Sequence, residues 1–151
     1  VALRMAQELD KRGDVSRLQA LLLLAPAPDF THELMKPELT DEMKTQLGTR
    51  GYMEEPSEYS DEPNIFTRAL FEDGDENRVM TGPINTGCPV HIIQGMEDPD
   101  VPYTHAMKLV EFLPSENVTM TLVKDGDHRL SRDQDIELIL RSVETLSGQY
   151  T

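Results

Sequence analysis

The first eleven residues, VALRMAQELDK, set Leu3, Met5, Ala6 and Leu9 near one face at helical spacing, and Gly13 follows as a C-terminal stop. The run LQALLLLAPAP at 18–28 is continuous, apolar and closed by prolines. It predicts a strand buried on both faces, although leucine alone would also suit a helix. From 29 to 83 the chain turns rich in Glu, Asp, Met and Pro, with helical patches at 32–36, 40–47 and 64–73 and no strand-like alternation. That stretch predicts a helical excursion. Regular patterning resumes after Cys88: PVHIIQG at 89–95 is a β-branched run ending in glycine, and YTHAMKLVEFL at 103–113 has helical spacing. NVTMTLVK at 117–124 alternates Val118, Met120 and Leu122 as a strand does. The last segment, 133–146, repeats Ile136, Ile139, Leu140, Val143 and Leu146 and predicts a helix started at Ser131. Strands separated by helices predict a parallel sheet with crossover connections, an α/β fold.

Composition narrows the partners. The 151 residues suit one domain, and 28 acids against 14 bases leave a formal charge of −14. Such a surface repels nucleic acid and anionic membranes. The longest apolar run, ALLLLA at 20–25, is too short to span a bilayer. Cys88 is the only cysteine, so an intrachain disulfide is excluded and a reducing compartment, the cytoplasm, is expected. No signal or targeting pattern is read at the front of the chain. The sequence opens on Val1 and not on methionine, which is read as a processed or cut start.

In open parallel sheets, chemistry gathers in the loops after the carboxyl ends of strands. Three such loops are predicted: APAPDFTH, GMEDPDVP and DGDHRLS. Asp98 and His128 leave consecutive strands, and neighbouring strands lie about 5 Å apart, within reach of loop side chains. A carboxylate beside an imidazole fixes its tautomer and stabilises the imidazolium formed during acyl transfer. A polar loop tip is the alternative reading of His128.

These residues carry a resemblance. CPVHIIQGMEDPDVPYTHAMKLVEFL followed by VTMTLVKDGDHRLS resembles the C-terminal half of α/β-hydrolase-fold serine hydrolases, above all small bacterial relatives of acyl-protein thioesterases. The resemblance implies that Gly95, Asp98, Val101 and Pro102 form the turn of the triad acid, and that His128 is the triad base. It likens LLLLAPAPDF to the strand after the nucleophile helix and 31–83 to a lid inserted in a single partial domain spanning 1–151. The implied substrates are small acyl esters or thioesters, with an acylated protein as a further partner and no cofactor. The family's nucleophile sits in a Gly-x-Ser-x-Gly elbow. No serine here has those flanks: Ser16, Ser57, Ser60, Ser115, Ser131, Ser142 and Ser147 all lack them. The helix at 1–11 resembles the one directly after the elbow, so the nucleophile is expected just before Val1, and the chain is expected to be an inactive fragment of an esterase or thioesterase.

Two other classes stay open. One is a non-catalytic α/β interaction module. The other is a metal- or phosphate-responsive module using Glu97, Asp98 and Asp100, for which a solvated acidic loop is the simpler account. Cys88 is expected to be a buried structural thiol, His91 a packed or edge histidine, and His105 a surface residue. Met35, Met43, Met53 and Met80 suit either an acyl-chain pocket or ordinary packing. His32 receives no role.

Overall fold

The computed structural model describes residues 1–14, 17–57, 60–114 and 117–148; Ser16 and Ser115 lie outside them. The chain divides into two compact units, one made of 1–28 and 79–151 and the other of 29–78.

The first unit is a three-stranded parallel sheet with helices. Its elements are α1 (Ala2–Arg12), β1 (Leu21–Leu24), and, after the second unit's residues, β4 (Val90–Gly95), α4 (Tyr103–Glu111), β5 (Val118–Val123) and α5 (Asp133–Gly148). The strand order is β1-β4-β5. Both ladders are parallel, with Leu21 opposite Val90 and Val90 opposite Val118. The strands pair in parallel, as predicted. β4 is central and reads as a nearly continuous buried run, as a strand covered on both faces must. Val90, Ile92, Ala6, Ile84, Ala106 and Leu109 make the centre of this core, and Leu3, Leu21, Leu23, Val79, Met80 and Cys88 extend it. Each large apolar side chain sealed there contributes about 1.5–3 kcal/mol. α1 ends where Gly13 takes a left-handed conformation, φ 73°, and its N–H caps Asp10 and Leu9 carbonyls.

Three expectations for this unit change. β1 is buried on one face only: Leu21 and Leu23 are covered, while Leu24 is exposed. Met5, on the predicted inner face of α1, is also exposed. On α5 the apolar stripe Ile136, Leu140 and Val143 faces out, and Asp135 is the buried residue. Periodicity reports that a face is apolar, not that something covers it.

The start of α5 explains Asp135. The cap position is Arg132 and not Ser131: Arg132 accepts from the amides of Asp135 and Ile136 through its carbonyl. Asp135 reaches back to accept from the Arg132 amide at 3.3 Å, half of a capping box. Arg132 then grips Asp135 through Nε at 2.8 Å and Asp125 through Nη1 at 2.7 Å. Hydrogen bonds from Arg132 hold the Asp135 carboxyl below the usual carboxylate range, and Arg132 does the same for Asp125. A carboxylate depressed in the folded state stabilises the fold above its unfolded pKa, near 3.8, and that gain is lost as pH falls through the lower folded value. Asp135→Asn should therefore be less stable than the parent at pH 7, with the gap closing on acidification below about pH 4. Urea unfolding at the two pH values checks it; a gap of the same size in acid contradicts the assignment.

The second unit opens on a π-helical turn, Thr31–Met35, and a 3-10 turn, Lys36–Glu38. Then follow α2 (Asp41–Arg50), β2 (Tyr52–Glu55), β3 (Asn64–Thr67) and α3 (Arg68–Glu76). β2 and β3 form an antiparallel pair, with Tyr52 opposite Thr67, where the sequence predicted helix and no strand. Thr40 and Thr67 cap the two helices by accepting from the Met43 and Leu70 amides. Leu47, Met53 and Phe71 form the core, with Met35, Leu39, Met43 and Phe66 packed on it. Three of the four methionines singled out thus serve packing in this unit, and Met80 serves it in the other.

Candidate active site

Two glycines bring the loops together. A Cβ on Gly95, at the end of β4, would lie 2.3 Å from the Gly126 carbonyl oxygen and 2.6 Å from that of Asp127. A Cβ on Gly126 would stand 2.9 Å from the Val123 Cβ. Only bare backbone fits, so the turn after β5 lies directly on the exit of β4. Backbone hydrogen bonds fasten it: the Met96 amide donates to the Val123 carbonyl and the Glu97 amide to that of Gly126, both at 2.9 Å.

Each loop then fixes its own side chain. Asp98 turns its Oδ1 back on the chain and accepts from the Asp100 amide at 2.9 Å and the Val101 amide at 2.8 Å. This is the local hydrogen bonding by which aspartate shapes a turn. Across the gap, Asp127 Oδ1 accepts from the Arg129 and Leu130 amides at 3.1 and 2.9 Å. Leu130 sits at φ 46° with its side chain buried, so packing holds a residue in a conformation that L residues avoid.

The two side chains meet. His128 Nδ1 lies 2.9 Å from Asp98 Oδ2. The Asp98 side chain is fully buried and that of His128 is 42% exposed. An ionised carboxylate only accepts, so Nδ1 carries the proton in this contact and Nε2 keeps its lone pair in the neutral ring. The imidazole is accessible and the carboxylate is dry. That combination suits a base whose partner orients it and stabilises its charged form.

Gln94 was not singled out in the sequence. It is fully buried on β4, and its Nε2 lies 3.1 Å from Asp98 Oδ2, 3.0 Å from the Gly95 carbonyl and 3.1 Å from the Val101 carbonyl. All three neighbours are acceptors, which assigns the amide nitrogen to that side. Only its place one residue before the turn glycine hints at this in the sequence.

The acid cluster is reduced by the fold. Asp98, Asp100 and His128 bring donor atoms within 4.8 Å of one another, while Glu97 is outside that group among the described residues. Asp98 has both oxygens committed to amide and imidazole donors, so a cation would have to displace them. Those residues fit a hydrogen-bonded pair better than a cation cage.

His91, His105 and the cysteine take packing roles, while His32 pairs through Nδ1 with Asp75 at 3.1 Å near the surface of the second unit. His105 is buried, not on the surface, and its Nε2 donates to the Pro28 carbonyl at 2.9 Å. His91 lies between two hydroxyls of the neighbouring strand, Thr119 at 2.6 Å and Thr121 at 3.2 Å. Burial pushes its pKa down. His91, Thr119, Thr121 and Arg141 line a groove of about 650 Å³ that includes neither Asp98 nor His128, and so is not the pocket of this pair. Cys88 is buried, and burial pushes its thiol up, away from a reactive thiolate.

Known proteins share this arrangement of elements. No family model matches the chain. Human mitochondrial palmitoyl-protein thioesterase ABHD10 is 28% identical over 131 residues, which is 86% of this chain and 42% of that protein. Among solved structures, mouse alpha/beta hydrolase domain-containing protein 10 superposes with a TM-score of 0.81 at 23% identity, covering 97% of this chain and 58% of that one. A protein from Agrobacterium vitis S4, assigned as a hydrolase, superposes with a TM-score of 0.91 at 59% identity over 96% of this chain and 56% of its own. The chain has the α/β-hydrolase fold. It is homologous to the palmitoyl-protein thioesterase ABHD10 and matches the C-terminal part of that protein. The chain spans less than half the length of the human thioesterase it matches. No helix among its described residues is long and apolar enough to cross a membrane.

Proposed function

We propose that Asp98 and His128 are the acid and base of a serine hydrolase that cleaves acyl esters or thioesters, served by a serine outside these 151 residues. One observation carries the reading: a buried carboxylate stands 2.9 Å from the Nδ1 of an accessible imidazole, each in the loop after one of two adjacent parallel strands. The homology to a palmitoyl-protein thioesterase supports thioesters among the substrates and an acylated protein as partner. The stretch 31–83 is read as the family's lid, and the single thiol supports the cytoplasm as compartment; the relative's mitochondrial name sets the alternative, which fractionation decides.

The pair would work as follows. His128 Nε2 takes the proton of the serine hydroxyl as its oxygen attacks the acyl carbon, and Asp98 holds Nδ1–H and stabilises the imidazolium. His128 then protonates the departing thiol or alcohol as the C–S or C–O bond breaks. Water, activated by the same Nε2, releases the acid from the acyl-serine. The exposed imidazole backed by a dry carboxylate favours this reading over a non-catalytic module.

The complete protein should hydrolyse a long-chain acyl thioester and an activated aryl ester. His128→Ala should lower kcat by about 10⁴ or more. The 151 residues alone, with no Gly-x-Ser-x-Gly, should give no turnover above a matched control. Steady-state rates on the three proteins check this, and activity that survives His128→Ala sinks the reading.

A further inference from the structure

Asp98 Oδ1 is satisfied by two backbone amides of its own loop, which fixes one end of the carboxylate. The other oxygen, Oδ2, faces His128 Nδ1 and has room for a second donor. Gln94 fills it. Its amide has two hydrogens and three acceptors in range, namely Oδ2, the Gly95 carbonyl at the strand end and the Val101 carbonyl at the far side of the loop. One side chain therefore joins the strand, both ends of the loop from 95 to 101, and the oxygen that meets the imidazole. It does so with no solvent access, where a donor cannot be replaced by water.

The other end of the same amide sharpens the point. Among the described residues, Gln94 Oε1 is buried without a partner. A side chain chosen for packing alone would carry no such orphan, since an apolar residue of that volume leaves no acceptor unpaired. The fold tolerates the lost hydrogen bond in exchange for an N–H₂ aimed at three acceptors.

We infer that Gln94 is a positioning residue for the Asp98–His128 pair: its amide holds Oδ2 in line with the imidazole Nδ1–H. It acts through Asp98 and touches no reacting atom. The inference rests on the hydrolase reading for its kinetic consequence, and on the geometry alone for its spectroscopic one.

The test is a double-mutant cycle in the complete protein. Gln94→Met keeps the volume and removes the amide; Gln94→Asn keeps the amide and withdraws it by one methylene, as a second variant should the first fail to fold. Circular dichroism establishes folding. The first readout is the His128 Nδ1–H proton resonance at low temperature. In either Gln94 variant it should broaden through faster exchange with water, because the carboxylate oxygen is no longer held. The second readout is the split between kcat and KM: kcat should fall by about ten- to a hundred-fold, as misplacement of a reacting group does, with KM kept. In an Asp98→Ala background, Gln94→Met should have no further effect on kcat, since a residue acting through Asp98 has nothing left to position. A folded Gln94 variant with an unchanged resonance overturns the inference. So does a loss in kcat that persists undiminished without Asp98, which is the mark of general destabilisation. Should the wild-type protein hydrolyse nothing, the hydrolase reading fails while the resonance still decides the role of Gln94.

Discussion

Asp98→Asn in the complete protein is expected to lower kcat by about 10⁴, with KM nearly unchanged. The reason lies in the hydrogen-bond directions around the carboxylate. Oδ1 accepts from the Asp100 and Val101 amides, so an asparagine must turn its carbonyl oxygen to them. Its NH₂ group then faces His128 Nδ1 and the Gln94 amide, both of them donors in the parent. Nδ1 can meet an NH₂ only by giving up its proton and accepting. The proton moves to Nε2, and the ring loses the lone pair that a general base needs. Geometry survives and chemistry does not. Steady-state kinetics with a saturating substrate check the prediction; a loss smaller than ten-fold means that the carboxylate does not orient the base.

Gly95→Ala is expected to cost about 3 kcal/mol of stability, at the upper end for overpacking, because the atoms it meets cannot yield. The new methyl would lie 2.3 Å from one backbone oxygen and 2.6 Å from the next, both in the turn that leads to His128. A flexible side chain could swing aside, but a backbone held by the Glu97-to-Gly126 and Gly126-to-Val123 hydrogen bonds moves only as a whole. The turn would lift from the strand end and carry His128 away from Asp98. Activity should then fall by about a hundred-fold even under conditions where the protein stays folded. Urea unfolding and kinetics on the same preparation separate the two effects. A Gly95→Ala protein as stable as the parent would mean that the loops do not lie on one another.

Much of this was legible in the chain, for definable reasons. β4, α4 and β5 announce themselves because each is an apolar run or repeat of six or more positions bounded by a breaker: Gly95 ends β4, Pro102 precedes α4 and Asn117 precedes β5. Asp98 and His128 were legible as candidates because strand order predicts which loops are neighbours. The contact between them needed Gly95 and Gly126, whose role is steric and has no pattern of its own. β2 and β3 were missed because each is four residues long and rich in charge or polar groups, as YMEE and NIFT show, and the ladder comes from pairing across a loop. The helix start at 131–135 was misread because serine is a common cap, whereas here the Arg132 guanidinium and the Asp135 carboxylate do the work together. His105 looked like a surface residue by its type; the Pro28 carbonyl that it meets is 77 positions away, beyond any local pattern. The outward stripe of Ile136, Leu140 and Val143 repeats the same lesson from the opposite side.

The most direct test of the acid–base pair is labelling of the complete protein with a fluorophosphonate, which reacts only with a serine activated by a neighbouring base. The expected result is one phosphonylated serine, mapped by mass spectrometry to a Gly-x-Ser-x-Gly segment outside the 151 residues, with labelling abolished in His128→Ala and strongly slowed in Asp98→Asn. Labelling at full rate in His128→Ala, or stoichiometric labelling of any serine within these 151 residues, would contradict it.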